Sequence, residues 1–89
     1  MTADAIESLI RSMICGVVDD NVPITITLQE SGTNDRTYYV TLPSESAGQA
    51  IGRQGSLVEA MRTILQSAAR KCDIGKIFLK ITPFDSSSN

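Results

Sequence analysis

The sequence predicts an α+β domain of order α-β-β-α-α-β, with three helices packed on one face of a three-stranded sheet. Three observations carry that prediction. Three segments repeat apolar residues at helical spacing, three others alternate with a period of two, and turn residues separate them. Each helix and each strand has one apolar face, so a single helical layer over a single sheet buries them all.

The first helix is marked by Ile6, Leu9, Ile10, Met13, Ile14 and Val17, which keep the i, i+3, i+4 spacing throughout. Asp4 with Glu7 three positions on resembles an N-terminal capping arrangement, and Gly16, Asp19-Asp20-Asn21 and Pro23 end the helix. Ile24, Ile26 and Leu28 then alternate with Thr25, Thr27 and Gln29 as a half-buried strand. Ser31-Gly32-Thr33-Asn34-Asp35 reads as a loop, and Tyr38, Val40 and Leu42 form the apolar face of a second strand, completing a hairpin. Pro43 stops the ladder and Ser44 is expected to cap a short helix over Glu45–Ile51. A longer helix is expected over Ser56–Cys72, its buried stripe formed by Val58, Met61, Leu65, Ala68 and Cys72 and widened by Leu57, Ile64 and Ala69. Gly75 is expected to provide the turn into a third strand over Ile77, Leu79 and Ile81, which Pro83 ends. Residues 1–83 are read as the single domain and 84–89 as a disordered tail.

Composition narrows the function. The chain has 89 residues, 42% of them hydrophobic, so it supports one core near the lower size limit. Its apolar runs are too short to span a bilayer, and its start lacks the basic and continuously apolar blocks of a secretory signal. A cytoplasmic protein is expected. There is no histidine and no close cysteine pair, which argues against a zinc site or any other cofactor. Cys15 and Cys72 are read as buried thiols. With no cysteine beside an evident base and no length left for a substrate pocket, neither an enzyme nor a small-molecule site is expected. Net charge is −2, but it is unevenly spread. Residues 1–45 hold two arginines against seven carboxylates, a balance of −5, and residues 46–89 hold six basic against three acidic residues, a balance of +3.

The basic half contains Gln49-Ala50-Ile51-Gly52-Arg53-Gln54-Gly55-Ser56. Two glycines without Cβ atoms let a partner's backbone approach, and Arg53 between them is placed to meet a phosphate. The P-loop alternative fails, because no Lys-Ser/Thr pair follows at the required spacing and no strand leads in. A Gly-x-x-Gly loop between two helices, after a hairpin and before a final strand, resembles the KH domain of type II (bacterial) topology. The match runs through Ile51-Gly52-Arg53-Gln54-Gly55-Ser56-Leu57-Val58-Glu59-Ala60-Met61, with an aliphatic residue, the loop, then apolar residues three and six positions later. A chain of this length is most similar to the small single-KH proteins of the bacterial KhpA-like family, over about residues 4–82.

That resemblance implies non-catalytic clamping of single-stranded RNA, in post-transcriptional regulation, cell-envelope growth or RNA chaperoning. It also implies a homodimer, or a heterodimer with a larger KH-containing RNA-binding protein. In the alternative reading the chain is a KH-shaped interaction module with weak RNA affinity. The helix beginning at Gly55 offers unpaired amides and a positive dipole end to a phosphate. Arg53 adds a charge-assisted fork, and Gln54 and Ser56 add hydrogen bonds. Ile51, Ala47, Val40 and Val58 are expected to floor a base-binding groove, with Arg36 and Arg62 extending the basic track. Gly52 and Gly55 are both expected to accept aspartate without loss of the fold. The outer sheet face, with Tyr39, Phe78 and Lys80, is read as a surface for association in preference to base stacking.

Overall fold

Helix α1 (Ala5–Cys15) buries Ile6, Ile10 and Ile14, with Leu9, Met13 and Val17 packed around them, as its periodicity predicts. This computed structural model describes residues 5–19, 21–30, 32 and 34–84, so the expected cap at Asp4 and the expected tail from residue 85 onward lie outside the described residues. Cys15 is exposed, contrary to expectation, because it lies one position past the buried Ile14 and so on the outer arc of the helix.

Strands β1 (Thr25–Glu30) and β2 (Arg36–Pro43) form the expected antiparallel hairpin, from Thr25 opposite Thr41 to Glu30 opposite Arg36. Strand β3 (Ile77–Phe84) lies parallel to β2 on its other side, from Ile77 opposite Arg36 to Phe84 opposite Pro43. The order is therefore β1-β2-β3, with β2 central. Parallel neighbours need a crossover connection, and α2 (Ser44–Ile51) with α3 (Ser56–Lys71) supplies it.

The core lies between the helices and one sheet face. Tyr38, Val40, Leu42, Ile77 and Leu79 come from the sheet, and Ala47, Ala50, Val58, Met61, Leu65 and Ala69 come from α2 and α3. Burying a side chain the size of Leu65 or Ile10 contributes about 1.5–3 kcal/mol.

Several local expectations give way. Ser44 is the first residue of α2, Pro43 holds the N-cap position, and no side chain caps the helix. The Ser44 hydroxyl instead donates to the Phe84 carbonyl at 3.2 Å, joining α2 to β3. The third strand passes through Pro83 and includes Phe84, one residue beyond the expected boundary. An edge strand tolerates a residue that cannot donate to the ladder. On α3 the buried stripe is Val58, Met61, Leu65 and Ala69, while Leu57 and Ile64 are exposed. Cys72 is the C-cap, beyond the part of α3 that covers the sheet, and it is exposed too.

The turn after α3 depends on Asp73 rather than Gly75. Asp73 adopts φ 60°, its N–H donates to Arg70 O at 3.4 Å, and the Ile74 N–H donates to Ala69 O at 2.9 Å. These are the paired bonds of a Schellman cap, in which the left-handed residue is usually glycine. Gly75 answers a spatial need, since a Cβ there would collide with the Asp35 carboxylate and crowd the Asn34 carbonyl. Its N–H donates to Asn34 O at 2.9 Å, and the Asn34 amide donates to Asp73 O at 2.8 Å. The hairpin loop is thereby fastened to the C-terminal end of α3.

Candidate nucleic-acid interface

The loop is built by ending one helix and starting another within four residues. The Gly52 N–H donates to Gly48 O at 3.0 Å and closes α2. Gly52 itself has φ 80° and ψ 177°, a combination open essentially to glycine alone. A single 3₁₀ turn, Arg53–Gly55, follows, and Gly55 N–H donates to Gly52 O at 3.2 Å. Gln54 (φ 56°, ψ 28°) and Gly55 (φ 79°, ψ 12°) are both left-handed, and Gly55 is the N-cap of α3.

This geometry gives the two glycines different duties. A Cβ on Gly52 would lie 2.9 Å from the Leu57 backbone nitrogen and equally close to its side chain. A Cβ on Gly55 would meet nothing within 4 Å. Gly52 lets Leu57 close over the loop, whereas Gly55 keeps the outer surface open. Aspartate at Gly52 therefore cannot be accommodated as expected, because the backbone it would displace is the first turn of α3.

Of the residues singled out from sequence, Arg53, Gln54 and Ser56 are exposed and share the loop with Gly52 and Gly55, while Ile51 is half-buried beside it. Val40 and Ala47 are sealed in the core at 0% and 1% exposure and Val58 is nearly so, which leaves Ile51 the only accessible member of the expected groove floor. Arg36 is not brought to the loop. Its N–H donates to Lys76 O at 2.8 Å, next to the turn that follows α3. The loop lies at the other end of that 16-residue helix, about 24 Å away at 1.5 Å per residue. The Arg36 guanidinium donates to the Tyr38 hydroxyl at 3.1 Å.

Arg62 extends from α3 to the unpaired edge of β3. Its Nε and Nη2 donate to Leu79 O at 3.2 and 2.9 Å, and its Nη1 donates to Glu59. One turn on, the Gln66 amide donates to Ile77 O. These two side chains occupy carbonyls that an edge strand would otherwise offer to another chain. Between them and the segment formed by Lys76 and residues 77–80 of β3 lies an open cleft of about 360 Å³. Sequence reasoning placed Arg62 on the track but missed Gln66 and Lys76. Their part in the cleft depends on β3 being an edge strand flanked by α3, which the periodicity of neither segment specifies.

Among the described residues no group of His, Cys, Asp or Glu is arranged to hold a metal ion. No helix among them is long and apolar enough to cross a membrane.

The family model described as "KhpA/KhpB, KH domain" matches residues 7–81. The RNA-binding protein KhpA of Listeria monocytogenes serovar 1/2a is 36% identical over 75 residues, covering 84% of this chain and 96% of the relative. RNA-binding protein KhpA of Listeria innocua serovar 6a matches with the same identity and coverage. No solved structure gives a significant match. With both the α-β-β-α-α-β order and nearly the full length of these relatives matched, the chain belongs to the KhpA/KhpB KH-domain family.

Proposed function

We propose that this chain is a non-catalytic cytoplasmic RNA-binding protein that clamps single-stranded RNA at the Gly52–Gly55 loop, in post-transcriptional regulation or RNA chaperoning. The observation that carries the reading is the open outer surface of the loop at Gly55, where no atom crowds a Cβ and α3 begins. A phosphodiester there meets the first amides of α3 and the positive end of its dipole. Arg53 supplies the charge, and Gln54 and Ser56 supply neutral hydrogen bonds. From the loop the strand follows the side of α3 toward the cleft against β3. There Arg62 contributes positive potential, part of which Glu59 neutralises. The KhpA relatives are named RNA-binding proteins, in accord with this assignment.

The test uses Gly55→Asp and Arg53→Ala in titrations with mixed-sequence single-stranded RNA. Gly55→Asp places a carboxylate in the phosphate path, and we expect it to abolish measurable binding while the circular dichroism spectrum is retained. Arg53→Ala should weaken binding about tenfold, the loss of one charge-assisted contact. Unchanged affinity in both variants refutes the clamp.

A second property is favoured by a specific feature. Leu57 and Ile64, 38% and 47% exposed, stand seven residues apart on one side of α3 and so share a face. We assign that face to self-association or to pairing with a larger KH-containing protein, in place of the sheet surface expected from sequence. Ile64→Asp should then shift the sedimentation of the chain toward the monomer without weakening RNA binding per chain.

A further inference from the structure

The outer face of the sheet has an unusual chemical make-up. Phe78, Lys80, Thr82 and Phe84 alternate with the core-facing residues of β3 and are all exposed. Lys80 pairs with Tyr39, Phe78 with Thr37, and Phe84 with Pro43. The chain has two tyrosines and two phenylalanines, and only Tyr38 belongs to the core. The other three stand on the face turned away from the helices. The remaining outward positions are Thr25, Thr27 and Gln29 on β1 and Thr37 and Thr41 on β2. No carboxylate occupies this face among the described residues of the three strands, although the chain has ten acidic residues against eight basic ones; one step before β2, the Asp35 carboxylate accepts from the Lys76 backbone N–H at 2.8 Å. Lys76 extends the same row one step before the strand and is exposed.

The cleft beside α3 leads onto this face. Its lining takes Ile77 and Leu79 from the inner side of β3 and Lys76, Phe78 and Lys80 from the outer side. It therefore wraps the strand edge and joins the two surfaces. A polymer lying in the cleft reaches Phe78 without leaving the protein.

We propose that the outer sheet face is a second binding surface for single-stranded nucleic acid. The strand leaving the α3–β3 cleft turns over the edge of β3, stacks bases on Phe78 and Tyr39, and sets its phosphates against Lys76 and Lys80. This rests on the reading that the loop and cleft hold single-stranded RNA. Aromatic side chains on a sheet, interleaved with cations, are the chemistry by which sequence-tolerant single-strand binding works. Tyr39 lies diagonally across from Phe78 on the parallel neighbour, a separation of about 8 Å from the strand spacing and the rise over two residues, near enough for two side chains to serve neighbouring bases. The same face suits a second copy of this chain poorly. An isologous contact would bury two copies of Lys76 and Lys80 against strands that carry no carboxylate on this face, with Asp35 already engaged at the Lys76 backbone N–H of its own chain.

The decisive variant is Tyr39→Leu, because Tyr39 lies on the central strand and takes no part in the cleft, and leucine preserves apolar bulk. Affinities are measured for mixed-sequence RNAs of 4 and 12 nucleotides, with Lys76→Gln/Lys80→Gln as the charge variant. We expect Tyr39→Leu to leave the 4-mer unaffected and to weaken the 12-mer about tenfold, the effect of one lost stacking contact. The double glutamine variant should flatten the salt dependence of 12-mer binding by about 1.4 in log–log slope, from two phosphates on single-stranded RNA. If the 4-mer binds and neither variant alters the 12-mer, the second surface is refuted and the loop assignment stands. If neither RNA binds the unmodified chain, both readings fall. A change in sedimentation on Tyr39→Leu with 12-mer affinity intact would reassign the face to protein contact and overturn the proposal.

Discussion

The two loop glycines should fail very differently when each is replaced by alanine. At Gly52 the new methyl group meets the Leu57 nitrogen at 2.9 Å and the Leu57 side chain at 2.8 Å. The backbone there also occupies a region that costs an L-residue about 1–3 kcal/mol. Relief requires moving the first turn of α3, an overpacking cost of about 1–3 kcal/mol more. Gly52→Ala should therefore lose about 3 kcal/mol or more. That is a large share of the roughly 5–13 kcal/mol expected for a domain of this size. At Gly55 nothing lies within 4 Å of the methyl group, so only the left-handed penalty of about 1–2 kcal/mol remains. Urea unfolding followed by circular dichroism resolves the difference. With a slope near 1 kcal/mol/M for a small domain, the midpoints should fall by about 3 M or more at Gly52 and by about 1–2 M at Gly55. Equal losses, or a larger loss at Gly55, would refute the division of labour between the glycines. The same arithmetic makes aspartate at Gly55 a probe of RNA binding and aspartate at Gly52 mainly a probe of folding.

Two further outcomes follow from positions where the structure departs from expectation. Cys15 and Cys72 are both exposed, so a disulfide-exchange reagent should titrate two thiols in the native protein without denaturant. One or no reactive thiol would contradict the placement of α1 or of the α3 cap. Asp73 holds both a left-handed conformation and a carboxylate next to the negative end of the α3 dipole. Asp73→Asn should stabilise by about 0.3–1 kcal/mol by removing the charge, and Asp73→Gly by about 1–2 kcal/mol by removing the backbone cost as well. Thermal melts that rank the aspartate protein above both variants would refute the argument.

The parts legible in the sequence are those set by local periodicity. Ile6, Ile10 and Ile14 declare α1 and its buried face, and the alternation from Ile24 to Leu42 declares the hairpin. The Gly52–Gly55 loop was legible because a glycine pair between two apolar helical patterns has few other uses. What escaped depended on partners distant in sequence. A helical pattern marks an apolar arc wider than the contact it makes, so Leu57, Ile64 and Cys72 belonged to the apolar pattern of α3 yet only one side of it meets the sheet. Val40 and Ala47 carry apolarity suited to a groove floor or to a core, and only packing by α2 and α3 decides between them. Pro83 resembled a terminator because the strand order was unread. On the edge of a sheet it is simply a residue of β3.

Strand order also resolves the conflict between an acidic chain and an anionic ligand. Along the sequence the first half is acidic and the second basic, which by itself states nothing about surfaces. With β2 in the centre, β1 and β3 become opposite edges of one sheet. Helix α1 is tied to the segment leading into β1, where Arg11 donates to Ile24 O at 3.4 Å and pairs with Glu7. Helix α3 reaches to the β3 edge through Arg62 and Gln66. At that edge Arg62, Lys76 and Lys80 line one cleft, with Glu59 paired to Arg62 and the Asp35 carboxylate accepting from the Lys76 backbone N–H at 2.8 Å. A Debye length of about 8 Å at physiological salt is shorter than the 22 Å minimum extent of the molecule, so carboxylates on the far side of the molecule weaken the potential at this edge less than Glu59 and Asp35 do. Net charge then governs the long-range approach of an RNA at low salt, whereas the β3 side governs what it meets on contact.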